Sequence, residues 1–471
     1  MEPVLLNDVL AATRGTATGL GANPPPITRV STDSRQVRAG DLFWALPGAR
    51  FDGHDFVTQA LNQGAAACVV ERSRAAQLTG PILQVDDSLR ALGDLARWYR
   101  HQREAMVIGV TGSVGKTTTR EMVHAVLSSS HSGMRSQRNY NNEIGLPMSL
   151  LELAADHDFA VLEMGAGRVG DIRALCEIAC PEIGIVTRIG PAHLESFGGL
   201  DQIYQGKGEL LEALPTDGFA VVGGDDDRMR DMARRAACQV FLVGEAPGNQ
   251  VRATQVEFKP GQLRFLVERR KYELAVPARH YLTAALCALA VAREIGMDAS
   301  AIAEGFRNFS GMPQRCQVEQ VGEWTLIDDT YNASPLSMEA ACHCLKDWPA
   351  TGKRLLVAGD MLELGTEAER CHYELGACAA ETGIDRLVAF GDQADQIANG
   401  ALRAGMRPYK VAGFHDLEAL LTVLDCWLSP GDVLLIKGSR GMRMERIVQW
   451  LKHYPQKPQN SPTAAAQRAV A

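Results

Sequence analysis

The chain lacks any apolar run near the ~20 residues that a bilayer-spanning helix requires, and its N-terminus carries no basic segment followed by a hydrophobic one. Membrane insertion is set aside, and the cytoplasm is the expected compartment. A disulfide framework is missing too: the eleven cysteines are odd in number and scattered, several inside helical patterns such as Ala174-Leu-Cys-Glu-Ile-Ala-Cys180. Cys342-His343-Cys344 has no second ligand pair at zinc-site spacing. There is no basic excess; the net charge of −8 speaks against a nucleic-acid partner, so any anionic ligand must be held by local groups. No Ser/His/Asp or Cys/His set that would make a protein nucleophile can be assembled.

What is present divides by pattern. A chain of 471 residues at ~150 per domain suggests three domains. The boundaries expected are 1–102, 103–316 and 317–455, followed by a tail at 456–471, rich in Pro, Gln, Ser and Ala, with no core-forming pattern. The first block has short apolar runs at 42–46, 66–70 and 82–85 and closes with an amphipathic helix after Asp87-Ser88, which reads as small α/β. The second alternates strand and helix through runs at 106–110, 159–163, 183–186 and 219–222, and the third does so through 354–358, 386–390 and 432–436. Such alternation implies parallel sheets covered by helices, with ligands beyond the carboxyl ends of the strands.

The most informative stretch is Ile108-Gly-Val-Thr-Gly-Ser-Val-Gly-Lys-Thr-Thr118, a strand running through a glycine turn into a helix. Backbone N–H groups freed by Gly112 and Gly115 can converge on a polyphosphate at the positive end of that helix, with Ser113 and Val114 between them also on the nucleotide. Lys116 adds charge, Thr117 a hydroxyl for Mg²⁺, and Thr118 lies beside them. ATP or GTP is the first ligand this implies. Val110 stands where the general pattern has its first glycine, so the loop is a shorter form.

Other motifs cluster at strand exits. Glu163, before Met164-Gly165-Ala166-Gly167, suits a hard cation, or else caps a neighbouring helix or pairs with Arg168. His193 in Gly190-Pro-Ala-His193 is a second candidate for metal or phosphate, although a lone histidine is usually only packed. Lys207 sits in Gln205-Gly-Lys-Gly-Glu209, where a helix is expected to begin. A solvated lysine is the ordinary outcome there, and a protonated ammonium cannot ligate Mg²⁺. A desolvated one of lowered pKa can instead take up CO₂ as a carbamate. Asn139, Asn141 and Asn142 gather amides for a polar substrate, and Arg315 in Gly311-Met-Pro-Gln-Arg315 is placed to meet a phosphate on domain closure. Asp328-Asp329-Thr-Tyr-Asn332 offers carboxylates and an amide after the strand at 324–327, and Lys437-Gly-Ser439-Arg440 follows the strand at 432–436. In the first block, the loops carrying Ser31, Asp33, Ser34 and Arg35, then Asp52, Gly53 and His54, suit a nucleotide-sugar diphosphate or ordinary turn chemistry equally.

In order along 29–446, STDSR, DGHDF, TGSVGKTT, NYNNEIGLP, LEMGAGRVGDI, GPAHLESFG, KGE, GMPQR, DDTYNASPLSMEAA, GDMLELG and LLIKGSRGMRME resemble the Mur ligase family of bacterial cell-wall synthesis, in its D-alanyl-D-alanine-adding branch. TGSVGKTT alone also fits folylpolyglutamate synthases. The resemblance implies an α/β protein of three domains: a small N-terminal α/β domain holding a UDP-sugar, a central P-loop ATPase with a parallel sheet, and a Rossmann-like C-terminal domain. It implies UDP-N-acetylmuramoyl-tripeptide and D-alanyl-D-alanine as substrates, ATP and Mg²⁺ as cofactors, and a monomer. By the same likeness Lys116 and Thr117 contact phosphate and Mg²⁺, Glu163 and His193 organise metal, and Lys207 is carbamylated. Arg315, Asp329 and Asn332 lie on the nucleotide side, with Lys437, Ser439 and Arg440 near it. One departure stands out: the family reads His-Asn and a further Asn where this chain has His280-Tyr-Leu-Thr-Ala284. Both amides are absent, and Tyr281 is the available ring for stacking on a base. A nucleotide-binding regulator that has lost ligation is the alternative this departure motivates.

Overall fold

The structure, a computed structural model, describes residues 1–48, 51–137 and 139–453. The tail at 456–471 lies outside them. The chain groups into two compact units, one holding Met1–Phe258 and Gln262–Ser310, the other Lys259–Gly261 and the residues from Gly311 onward. Arg315 therefore belongs with the second unit, although a boundary at 316 assigned it to the central block.

The first unit opens on a five-stranded sheet ordered Thr16–Thr18, Ile82–Val85, Ala67–Glu71, Leu42–Trp44, Val30–Ser31, antiparallel at its first pair and parallel thereafter. The helix expected after Asp87-Ser88 is Ser88–His101, with Asp87 capping it through the Arg90 amide at 2.9 Å. Its buried stripe of Leu92, Leu95, Ala96 and Tyr99 joins one core cluster that continues into the second sheet, and the Tyr99 hydroxyl donates to the Leu153 carbonyl at 2.6 Å. Each fully buried leucine contributes about 1.5–3 kcal/mol to that junction.

The second sheet is seven-stranded and parallel throughout, ordered Val251–Arg252, Gln239–Gly244, Phe219–Gly223, Ile183–Val186, Met106–Thr111, Phe159–Glu163, Gly133–Arg135. From Met106–Thr111 the chain goes to the edge strand Gly133–Arg135, returns to Phe159–Glu163 between them, and then crosses to the other side, where Ile183–Val186 and the later strands build outward. The exit of Met106–Thr111 is thus the switch point at which such sheets bind ligands. Register pairs Val110 with Glu163 and Thr111 with Val186, bringing three strand exits level. A three-stranded antiparallel meander, Thr254–Lys259, Gln262–Val267 and Arg270–Leu274, interrupts the alternation, which the strand-helix pattern did not anticipate.

The second unit is six-stranded, ordered Gln317–Val321, Trp324–Asp329, Val433–Lys437, Arg354–Gly359, Arg386–Phe390, Val411–Phe414, antiparallel only at the first pair. Leu355, Val357, Leu434 and Ile436 centre its core. Trp324–Asp329 runs two residues beyond the strand expected at 324–327, so Asp328 and Asp329 lie in the strand rather than its exit loop.

Candidate active site

In the first unit the phosphate loop forms at the switch point. Gly112 has φ 147°, and a Cβ there would sit 2.1 Å from Thr187 Oγ1; Gly115 has φ 87° and caps the 12-residue helix Lys116–Leu127 without a side-chain bond. Glycine is required at the first by close approach and at the second by the left-handed backbone. The helix N-terminus, with Lys116, Thr117 and Thr118 in its first turn, gives the positive end that a phosphate needs. Not every loop amide faces outward. Ser113 N–H donates to Arg188 O at 2.8 Å and Val114 N–H to the same carbonyl at 3.4 Å, while Lys116 Nζ folds back on Gly112 O at 2.7 Å. The neighbouring strand exit thus holds the apex of the loop. The Ser113 hydroxyl donates to Gly190 O at 2.8 Å, which docks the segment leading to His193 onto the loop. His193 itself has φ 55° and precedes the short helix Leu194–Phe197.

Glu163 is buried at the adjacent exit. Its Oε2 accepts from Thr117 Oγ1 at 2.8 Å and its Oε1 from Asn141 Nδ2 at 2.9 Å. Burial pushes its carboxyl pKa up, but Lys116, Arg120, Asn141 and Thr117 outweigh that and hold it below the ordinary value. The asparagines read as substrate contacts divide here. Asn141 holds Glu163, whereas Asn142 Oδ1 accepts from Gly145 N at 2.9 Å at the start of helix Gly145–Leu150. Asn139 is exposed in the preceding turn.

Lys207 corrects the expectation of a helix start. It lies inside helix Leu200–Glu212, 2% exposed, with Nζ 3.4 Å from Ala166 O and 5.4 Å from the Phe197 ring centre. A Cβ on Gly208 would sit 2.1 Å from the Arg235 guanidinium, so this glycine serves a close approach rather than a turn. Burial, then the charge of Lys116, drives the Lys207 pKa well below the usual lysine value against the pull of Asp171, Glu163 and Glu209. Glu209, two residues on, is a clamp: its carboxylate accepts from Gly170 N at 2.7 Å and Arg173 N at 3.0 Å, capping helix Asp171–Ala179.

The first sheet's loops turn their polar groups largely on one another. Asp33 accepts from Arg35 at both the backbone and the guanidinium, which sets its pKa at about 2. Ser31 Oγ donates to Asp33 O at 3.1 Å, and Ser34 Oγ lies 3.4 Å from Gln59 Oε1. His54, read as a substrate contact, is instead buried: Nδ1 meets Asp52 Oδ1 at 2.6 Å and Nε2 accepts from Glu71 N at 3.0 Å. Both ring nitrogens are occupied inside the fold. Gly53 N–H donates to Leu46 O at 2.9 Å.

The second unit assembles its own cluster. Parallel register sets Asp329 opposite Lys437, and their Oδ2 and Nζ are 2.7 Å apart; Lys437 also donates to Asn332 O at 2.8 Å. Arg440 N–H donates to Asn332 Oδ1 at 3.3 Å, and the Arg315 guanidinium stacks 4.1 Å over Tyr331. Ser439 is a buried clamp, its hydroxyl accepting from Leu362 N at 2.9 Å and facing Ala333 O at 3.4 Å. Asp360 accepts from Asp392 N at 2.7 Å and Gln393 N at 3.1 Å, tying two strand exits together.

Tyr281 is 2% exposed and packs edge-on to Phe309, with ring centres 6.1 Å apart, so its ring is a core element and not a stacking surface for a base. Ala284 is buried as well.

Family patterns match in the order of these units: the Mur ligase family catalytic domain at residues 26–100, the Mur ligase middle domain at 110–292, and the Mur ligase glutamate ligase domain at 314–440. The UDP-N-acetylmuramoyl-tripeptide--D-alanyl-D-alanine ligase of Escherichia coli K12 is 37% identical over 432 residues, covering 90% of this chain and 93% of the relative. The chain belongs to the Mur ligase family. Two solved members agree in fold over nearly the whole length. MurF from Acinetobacter baumannii superposes with a TM-score of 0.89 at 33% identity, covering 96% of this chain and 99% of that one. MurF from Thermotoga maritima, in complex with ADP, gives 0.81 at 31% identity, covering 90% and 97%. Sequence reading of this Mur ligase missed Arg120, which contacts Glu163. Its signal was available: it lies four residues after Lys116, on the stripe continued by Val123 and Leu127.

Proposed function

We propose that this chain is an ATP-dependent amide ligase that joins D-alanyl-D-alanine to UDP-N-acetylmuramoyl-tripeptide, the last cytoplasmic step in making the peptidoglycan precursor, and that it acts as a monomer. The observation that carries the reaction class is the Thr117–Glu163 pair beside Lys116 and buried Lys207 at the switch point. The acid and the amine follow from the name of a relative aligned over 90% of this chain.

A carboxylate resists an amine because its carbon is electron-rich and oxide cannot leave. Attack of the tripeptide carboxylate on the γ-phosphorus of ATP, with ADP as leaving group, removes both obstacles. The resulting acyl phosphate takes up the dipeptide amine through a tetrahedral intermediate and loses phosphate. Lys116 and Arg315 are assigned the charge that develops on the transferred group, and no protein nucleophile is needed.

The donor set fits Mg²⁺. Thr117 and Glu163 offer oxygen, Glu163 is held ionised, and no group of three or more His, Cys, Asp or Glu that would make an all-protein cage occurs among the described residues. A strongly hydrated cation of this kind takes its other oxygens from phosphate and water. When bound it supplies positive charge opposite the phosphoryl oxygens. His193 is proposed as a further contact. Lys207, buried and biased to its neutral amine, is proposed to add to CO₂, forming an N–C bond and releasing one proton, so that an amine becomes an anionic oxygen donor. Asp329, Asn332, Lys437 and Arg440 are assigned to the nucleotide, and exposed Arg35 to the UDP diphosphate.

The test is phosphate release from ATP with UDP-N-acetylmuramoyl-tripeptide, with and without D-alanyl-D-alanine, using ¹⁸O in the tripeptide's terminal carboxylate. Release should require both substrates, give a pentapeptide by mass, and carry ¹⁸O into phosphate. Pentapeptide formed without label in phosphate would overturn the acyl-phosphate route.

A further inference from the structure

Arg120 is a cation buried to 1% exposure, and none of the roles above uses it. A guanidinium in such a place is retained at a desolvation cost unless its fork is filled. Here the fork reaches two ways. Nε and Nη2 lie 3.2 and 2.7 Å from Glu121 Oε1, and Glu121 Oε2 accepts in turn from Arg135 Nε at 2.7 Å. On the other side Nη1 lies 3.4 Å from Ser136 Oγ and 3.5 Å from Glu163 Oε2. Ser136 Oγ also accepts the Glu163 amide at 3.0 Å. The backbone and carboxylate of Glu163 are therefore both tied to the Arg120–Ser136 pair.

We propose that Arg120 is a positioning residue for the nucleotide reaction: it holds Glu163 Oε2 level with Thr117 Oγ1, so that the two present one oxygen edge to a divalent cation. This rests on the reading of the phosphate loop as a Mg²⁺–nucleotide site. The Thr117 hydroxyl donates to Oε2 at 2.8 Å, and turning a lone pair toward a cation gives that bond up. A glutamate has enough rotatable bonds to swing away at that moment; the guanidinium on Oε2 and Asn141 on Oε1 keep it in place. Helix spacing makes the arrangement possible, because Lys116 and Arg120 are one turn apart on one face. A lysine at 120 would keep the charge and lose the planar fork that grips Glu121 and Glu163 together.

The full chain, as wild type, Arg120→Lys, Arg120→Met and Glu121→Gln, is titrated calorimetrically with ADP in EDTA and again with Mg²⁺, and each protein's thermal transition is recorded. In Arg120→Lys the affinity in EDTA should stay within about twofold of wild type, while the gain conferred by Mg²⁺ falls about 10–100-fold, the range expected when a ligand's outer partner is removed. Arg120→Met should lose the gain at least as fully, and Glu121→Gln should lose part of it. A full Mg²⁺ gain in Arg120→Lys overturns the inference alone, as does equal loss with and without Mg²⁺ accompanied by a lowered transition. Absence of any Mg²⁺ gain in wild type overturns the site reading and this inference with it.

Discussion

Replacing His54 with Ala separates a structural clamp from a substrate contact. The ring is 4% exposed and makes two bonds, to Asp52 Oδ1 at 2.6 Å and from Glu71 N at 3.0 Å. Alanine leaves the Glu71 amide without its acceptor beside a buried strand, about 1–3 kcal/mol. The cavity left by the ring adds about 1–2 kcal/mol, below the range for a wholly apolar side chain because the ring is polar. Asp52 recovers part of the loss, since Arg74 Nη2 lies 2.9 Å from its other oxygen. A net cost of about 3 kcal/mol lowers the transition of a unit that spans Met1–Phe258 and Gln262–Ser310 by about 5 °C. Differential scanning calorimetry reads the shift, and steady-state kinetics at 25 °C, where the variant is still folded, reads KM for the UDP-peptide. His54→Gln can supply one of the two bonds and should recover about half of the loss. A transition within about 1 °C of wild type, together with a raised KM, would refute the clamp and restore His54 to the substrate.

Two further outcomes follow from the loop and the buried lysine. Gly112→Ala drives a Cβ to 2.1 Å from Thr187 Oγ1, whereas at Gly115 the nearest atom of Thr187 is 3.8 Å away; overpacking of about 1–3 kcal/mol at the first should abolish ADP binding by calorimetry, while left-handed strain of about 1–2 kcal/mol at the second should only weaken it, and equal losses would count against the geometry. Lys207 has a folded pKa driven far below its unfolded value by burial and by Lys116, so the unfolded chain binds more protons and stability rises as pH climbs from the folded value toward about 10.4. Lys207→Met should be more stable than wild type near neutrality, with the difference shrinking as pH is raised; a difference constant with pH in denaturant titrations would contradict a buried neutral amine.

The strands and the phosphate loop were legible because short-range chemistry determines them. Apolar runs of four or five residues bounded by turn residues marked the inner strands Met106–Thr111, Phe159–Glu163, Ile183–Val186 and Phe219–Gly223 of one sheet and Arg354–Gly359, Arg386–Phe390 and Val433–Lys437 of the other, while Gly133–Arg135, Gln239–Gly244, Val251–Arg252 and Val411–Phe414 went unread. Gly112 and Gly115 marked the turn into Lys116–Leu127. The meander at Thr254–Leu274 was passed over although its central strand Gln262–Val267 alternates, with Leu263, Phe265 and Val267 buried, because a strand-then-helix rhythm leaves no place for a hairpin. The outer strand Thr254–Lys259 is largely exposed, so its sequence carries little of a buried face's pattern. Lys207 was misplaced for a different reason. Glycines on both sides argue locally for a helix boundary, but Gly208 answers to Arg235, 27 positions on in the chain, and no local pattern carries that demand.

Neighbouring residues of one type show where sequence reading must stop. Asn141 and Asn142 are consecutive amides in one loop; the first reaches Glu163 across 22 positions and the second accepts the Gly145 amide at the start of the helix it precedes. Side-chain chemistry is identical, so the division comes from the loop's path, with Asn141 anchored through its carbonyl to Gly165 N at 2.8 Å. The same holds for Lys437 and Ser439, two residues apart, the first ending one strand and the second just beyond it. Register places Lys437 against Asp329, and the turn then aims Ser439 inward between Leu362 and Ala333. A polar residue at a strand exit is thus a candidate because of where parallel sheets bind ligands, but its partner decides whether it serves the ligand or the scaffold. That is why Arg120, hidden on an apolar stripe and absent from every strand exit, went unread: what marks it is Glu163, 43 positions away.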